Sequence, residues 1–95
     1  MQKVEVPGSN YEVIMAVVEI PAATDSGRHT HPGTEIGMVL EGDPTFLVDG
    51  HQPKAGDSFE VAAGVIHAAK TGDKAVKALV VYVVERGKPM TAPAN

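Results

Sequence analysis

The apolar residues of this chain follow the two-residue period of β-strands, and no stretch sustains a helical period. Short segments rich in valine and isoleucine are bounded by glycine, proline, asparagine and aspartate, the pattern of strands joined by turns. The pattern predicts six strands and a weaker one near the start: Glu12–Ile20, Glu35–Glu41, Thr45–Val48, Ser58–Val61, Val65–Lys70, Val76–Glu85 and, weaker, Lys3–Val6. Many short strands without helices indicate an all-β sandwich or barrel.

Two of these strands are apolar on both faces, unlike a strand with one face in water. In Glu35–Glu41, the face formed by Ile36, Met38 and Leu40 lies opposite the face that begins with Glu35. If Glu35 points into the domain, the Ile36 face needs a cover, either from the N-terminal strands or from a second subunit. We therefore predict a homodimer.

Length and composition place the chain among ordinary globular proteins. We expect one domain over residues 1–95, with an N-terminal arm at 1–10 and a loose C-terminal tail at 88–95. The hydrophobic fraction is 43% and the net charge is −4, which argues against a nucleic-acid partner. The apolar runs are shorter than the roughly 20 residues that span a bilayer. We therefore predict no membrane partner. The first residues lack the layout of a secretory signal, so we predict a cytoplasmic location, with a removed signal peptide as the alternative.

Four residues with metal-binding side chains carry most of the chemical information. His29 and His31 are two apart, so an extended backbone aims both at one point. Pro32-Gly33 then turns the chain, which lets Glu35 return to that side, and His67 comes from far along the sequence. Since the chain has no cysteine, its metal ligands are nitrogen and oxygen, which suit Fe, Mn, Ni, Zn or Cu. The sequence predicts one divalent transition metal ion.

The first three of these residues stand in a segment that resembles the leading motif of the cupin superfamily, G-x5-H-x-H-x3-4-E-x6-G. His29, His31, Glu35 and Gly42 occupy its positions in order, while Ala23 stands where the family has its first glycine. The match thus begins at the first histidine.

The second cupin motif, G-x5-P-x-G-x2-H-x3-N, is similar to the segment from Gly56 to Thr71. Gly56, Gly64 and His67 match it, whereas Ala62 replaces the proline and Thr71 replaces the asparagine. The two motifs and their spacer cover about half of the chain.

This resemblance implies a small jelly-roll β-barrel in a single domain. It also implies that His29, His31, Glu35 and His67 bind one metal inside the barrel, with positions left open for water or substrate. Gly64 would give the tight bend that aims His67 inward.

The residues around this set predict an open cavity with few acids or bases. Gly37 and Ala69, two positions from ligands on the same face, are small and leave room for a small organic molecule. Unless Glu41 or Tyr82 faces the cavity, the metal must supply the chemistry. His51 matches no motif position and is expected to be exposed.

Two functions stay open. The first is a metal-dependent dioxygenase or a related enzyme, such as a lyase or isomerase, acting on a small organic molecule. The alternative is a non-catalytic metal-containing barrel that binds or senses a small carboxylate or sugar. Cupins include members of all these kinds, and a shared fold does not carry a shared function.

Overall fold

The computed structural model describes residues 2–42, 46–48, 51–88 and 92–93. These residues form nine strands and no helix, which confirms the all-β class. The strands are β1 Gln2–Glu5, β2 Tyr11–Ile20, β3 His29–Thr30, β4 Thr34–Glu41, β5 Leu47–Val48, β6 Ser58–Val61, β7 Ala69–Lys70, β8 Val76–Glu85 and β9 Ala92–Pro93. The described part of the chain contains no helix of the length and apolarity needed to cross a membrane.

One large antiparallel sheet carries most of the structure, in the order β1-β2-β8-β4-β6. Two short pairs, β5 with β7 and β3 with β9, supply the facing layer. Residues from both layers form the core cluster, which consists of Val39, Phe46, Val48, Val61 and Val76. Each such side chain contributes roughly 1.5–3 kcal/mol through burial.

The register fixes which side chains of the large sheet face this core. Glu35 lies directly opposite Tyr82 of β8 and Val61 of β6, so all three share the inner face. On the outer face of β4, Ile36, Met38 and Leu40 are 49%, 43% and 42% exposed. The face alternation expected from the sequence is therefore present. The N-terminal strands extend the sheet at its edge and do not cover this outer face.

The predicted strand at Val65–Lys70 is shorter in the structure, where β7 covers only Ala69–Lys70. A turn extends into its first residues, because Gly64 has a φ of +74° and the amide of Val65 donates to the carbonyl of Ala62. The apolar composition of this segment predicted a strand, but the amide of Val65 is already hydrogen-bonded within the turn. The predicted strand Thr45–Val48 is seen as Leu47–Val48, and Thr45 lies outside the described residues.

Both ends of the chain contain short strands within regions that the sequence assigned to an arm and a tail. Gln2–Glu5 pairs with β2 over its whole length, in line with the weak strand predicted near Lys3–Val6. Ala92–Pro93 pairs with His29–Thr30, although no strand was predicted there. The backbone at the first histidine is thus paired with the C-terminal segment.

Candidate metal centre

His67 is distant from His29 in sequence, but main-chain hydrogen bonds join the two residues. The amide of His29 donates to the carbonyl of His67 at 2.9 Å, and the amide of His67 donates to the carbonyl of His29 at 3.0 Å. The amide of Gly64 also donates to the carbonyl of His31 at 3.0 Å. Three main-chain hydrogen bonds therefore fix the relative positions of the two motif segments before any side chain takes part.

The side chains of these residues converge. Nitrogen atoms of His29, His31 and His67 lie within 4.8 Å of one another, so the three rings could hold one metal ion. Glu35 Oε1 lies 3.1 Å from His31 Nε2 and 3.6 Å from His67 Nε2. His31, His67 and Glu35 are only 5%, 5% and 7% exposed, and His29 is half-buried. The structure thus brings together the four residues predicted from the sequence.

Two of the rings are oriented by the same local hydrogen bond. Nδ1 of His29 lies 2.9 Å from the carbonyl of Gly27, and Nδ1 of His67 lies 3.0 Å from that of Val65. A carbonyl oxygen only accepts, so Nδ1 carries the proton and Nε2 keeps its lone pair. This is the tautomer and the support that metal-binding histidines need. With three imidazoles and one carboxylate, the donor set fits a divalent transition metal.

Gly33 allows β4 to approach closely enough to deliver Glu35. A Cβ atom at this position would overlap the carbonyl oxygen of Val83 in β8. The Pro32-Gly33 turn therefore needs glycine for close backbone contact and not for a positive φ. Any larger residue would push β4 away from β8 and Glu35 away from the histidines.

Two of the departures from the cupin motifs, Ala23 and Thr71, lie at the loop that supports the centre. Ala23, at the position of the family's first glycine, has a φ of +53°, a left-handed conformation that glycine adopts without strain. Thr71, which replaces asparagine, donates from Oγ1 to the carbonyl of Pro21 at 2.6 Å and accepts from the amide of Thr24 at 2.9 Å. Thr71 thus ties this loop to β7 with a shorter side chain.

Tyr82 is the additional polar group at the centre. Its ring centroid lies 4.9 Å from that of His31, and burial, followed by the negative charge of Glu35, raises the pKa of Tyr82 to about 12. The phenol is therefore protonated and can donate a hydrogen bond at neutral pH. Glu41, the other group left open by the sequence, is exposed and lies 4.0 Å from Lys77. The alternation of faces along the strand had placed Tyr82 on the same face as the buried residues of β8, which is the face that it occupies in the structure.

A cavity of about 200 Å³ adjoins the four side chains. Its apolar wall includes Val18, Ile20, Phe46, Phe59, Ala78 and Val80. No lysine or arginine is among the described residues that line it. The expected room beside Gly37 is not there, because the ring of Phe59 occupies the place of the missing side chain. Ala69, the other small residue, does line the cavity.

The fold and the histidine cluster define the protein as an all-β barrel with a candidate metal centre inside it. Comparison with known proteins gives the family. Residues 16–82 match the family model of the cupin domain, so the chain belongs to the cupin superfamily. The small jelly-roll barrel expected from the sequence is thereby confirmed.

One known protein is similar to this chain in both sequence and structure. It is 39% identical over 80 residues to dimethylsulfoniopropionate lyase DddQ of Ruegeria pomeroyi, covering 81% of this chain and 38% of that protein. The crystal structure of DddQ aligns with a TM-score of 0.71 at 30% identity, over 90% of this chain and 44% of that one. The chain thus spans less than half the length of this relative.

A second solved structure is similar in fold alone. The polyketide cyclase RemF of Streptomyces resistomycificus aligns with a TM-score of 0.70 at 19% identity, over 97% of this chain and 68% of that one. The same barrel therefore occurs in proteins whose names describe different reactions.

Proposed function

We propose that this chain is a metal-dependent cupin enzyme that acts on a small organic molecule. His29, His31, Glu35 and His67 would hold one divalent transition metal, with Fe, Mn, Ni, Zn and Cu as the candidates. The observation that carries the proposal is the convergence of four donor side chains, three of them nearly buried, on the wall of a cavity.

The charge of the loaded centre favours an anionic substrate. Three neutral imidazoles and one carboxylate around a divalent ion leave a net charge of about +1. The described lining residues include no lysine or arginine that could bind an anion instead. A substrate carboxylate would therefore be drawn to the centre itself, with its apolar part against the valines and phenylalanines.

Within this class we favour a lyase-type reaction. A bound divalent metal would supply Lewis acidity toward a substrate oxygen. Tyr82, protonated at neutral pH and close to His31, would donate a hydrogen bond to that substrate and hold its reacting end beside Glu35. The likeness to dimethylsulfoniopropionate lyase DddQ supports elimination from a small carboxylate.

A dioxygenase is the second candidate, and the cavity wall favours it. Apolar side chains make up most of the lining, and three imidazoles with a carboxylate suit iron. Such a reaction would need Tyr82 only to position the substrate.

One assay separates these candidates. The protein is loaded with each metal in turn and incubated with dimethylsulfoniopropionate and other small β-substituted carboxylates, while elimination products and O2 consumption are followed together. We expect an elimination product without O2 uptake. O2 consumption coupled to substrate loss would favour the dioxygenase, and tight ligand binding without any turnover would favour the non-catalytic barrel.

We also propose that two copies associate through the outer face of the large sheet. Support comes from exposed apolar side chains on that face of β2 and β4, the two strands that flank β8: Met15, Val17, Ile36, Met38 and Leu40. The cytoplasmic location stays a prediction, to be tested by cell fractionation.

A further inference from the structure

Phe59 occupies an unusual position in the wall of the cavity. It lies on β6, the edge strand of the large sheet, directly opposite Gly37 of β4. A Cβ atom at Gly37 would overlap the end of the Phe59 ring. The ring therefore lies across the inner side of β4, in the space that a side chain at position 37 would fill.

Phe59 contributes to the lining of two cavities. Phe59 lines the 200 Å³ cavity beside the candidate metal centre. It also lines a surface groove of about 610 Å³, whose polar members include His51, Gln52, Asp57, Ser58 and Glu60. Of the residues that the structure describes, Val48 and Phe59 are the two that both linings share. Val48 and Phe59 thus lie between the apolar cavity and the polar groove, and we call these two residues the partition.

Phe59 is the adjustable part of this partition. Val48 is buried and branched, and its backbone is fixed by hydrogen bonds of 2.8 and 2.9 Å with His51. Phe59 is half-buried on an edge strand. Its ring lies against Gly37, which has no side chain. Phe59 also packs against the core cluster, so a substitution that tests the partition has to change the size of the side chain and keep it apolar.

We propose that Phe59 determines the length of the molecule that the cavity accepts. This inference rests on the proposed function only in placing the substrate in the cavity. Gly37 lies two residues along β4 from Glu35, so the backbone position that the ring covers is about 7 Å along the strand from that of Glu35. A cavity of 200 Å³ has the volume of about seven liquid water molecules, so only a short chain fits between the centre and the ring. Without the ring, a longer chain extends into the groove.

The test uses n-alkyl hydroxamic acids, from acetohydroxamic to octanohydroxamic acid, as chelating probes for the cobalt-loaded protein. In the unchanged protein, affinity should rise with chain length until the cavity is full and then fall. In Phe59→Leu the maximum should move to longer chains, and a probe two methylenes beyond the original maximum should bind about tenfold more tightly. In Phe59→Trp the maximum should move to shorter chains. The same chain-length profile in all three proteins would overturn the proposal.

Two controls keep this result separate from the metal centre. Acetohydroxamic acid reaches only the metal, so its affinity should be equal in the three proteins. If acetohydroxamic acid binds to none of the three proteins, the proposed metal centre is wrong. The role of Phe59 is then tested on the metal-free proteins, by measuring the affinity for a series of alkylbenzenes from toluene to butylbenzene. The opposite shifts of Leu and Trp are expected there too, and their absence contradicts the role of Phe59. Both substitutions keep an apolar side chain, and melting curves will show that the variants fold.

Discussion

The two faces of the large sheet are built from the same strands but differ in what they offer. On the inner face of β4, Glu35 is nearly buried and lies within 3.6 Å of two imidazoles. One residue further along, Ile36 points outward and leaves its apolar side chain half in water. The inner face concentrates polar groups in an apolar cavity, and the outer face presents apolar groups to solvent. Alternation along a strand thus separates a candidate site from a candidate interface.

Removal of one imidazole beside Glu35 should give the largest effect. We expect His67→Ala to lower the metal content from about one ion per chain by at least about tenfold, since one of four donors is lost from a fixed set. Elemental analysis after dialysis measures this. His51→Ala is the matched control, because His51 is exposed and outside the cluster. Full metal content in His67→Ala would contradict the assignment of His67.

Loss of the inner-face phenol should spare the metal and lower activity. We expect Tyr82→Phe to reduce kcat by up to about tenfold, because the hydrogen bond that the phenol would donate to the substrate is lost. Steady-state kinetics and metal analysis of the same samples check this. Tyr11→Phe, on the partly exposed first residue of β2, is the control and should leave kcat unchanged. An unchanged kcat in Tyr82→Phe would remove this residue from the reaction.

A charge on the outer face should change assembly and nothing at the metal centre. We expect Ile36→Glu to shift the mass in light scattering from dimer to monomer, because a buried unpaired carboxylate is costly. Metal content should stay the same. Ile66→Glu, equally open to solvent but outside the sheet, should remain dimeric. A monomeric mass for the unchanged protein would refute the proposed dimer.

The smallest effect is expected in the loop that supports the centre. Ala23 has a positive φ, so Ala23→Gly should relieve strain and raise the free energy of unfolding by about 0.5–1 kcal/mol. Chemical denaturation measures the change. Ala22→Gly is the matched control: the neighbouring residue has no positive φ, so its substitution should be neutral or slightly destabilising. A loss of stability in Ala23→Gly would show that the alanine is preferred there.

Much of the fold and of the candidate site could be predicted from the sequence, because both depend on local rules. The period of two places Glu35 inward and Ile36 outward, and the cupin motifs named the four side chains that the structure brings together. Strand parity also grouped Tyr82 with the buried residues of β8. It could not decide whether the phenol lies in the cavity, since that depends on the packing of β8 against β4.

The remainder depends on contacts between segments far apart in the sequence. Gly37 suggested space beside the metal, but the space is filled by Phe59 from another strand. The pairing of Ala92–Pro93 with His29–Thr30 carries no hydrophobic pattern that would predict it. Val65 and Ile66 have strand-like composition, yet they follow the turn at Gly64, and the amide of Val65 donates to the carbonyl of Ala62 within that turn. Each of these differences arises from tertiary contacts that override a local preference.

X-ray absorption spectroscopy on the zinc-loaded protein tests the central claim most directly, because it counts the imidazole and oxygen ligands of the metal itself. The account predicts three imidazole nitrogens, with carboxylate or water oxygens completing the shell, and two imidazoles in His67→Ala. A shell of oxygen alone, or an identical spectrum in His67→Ala, would contradict it.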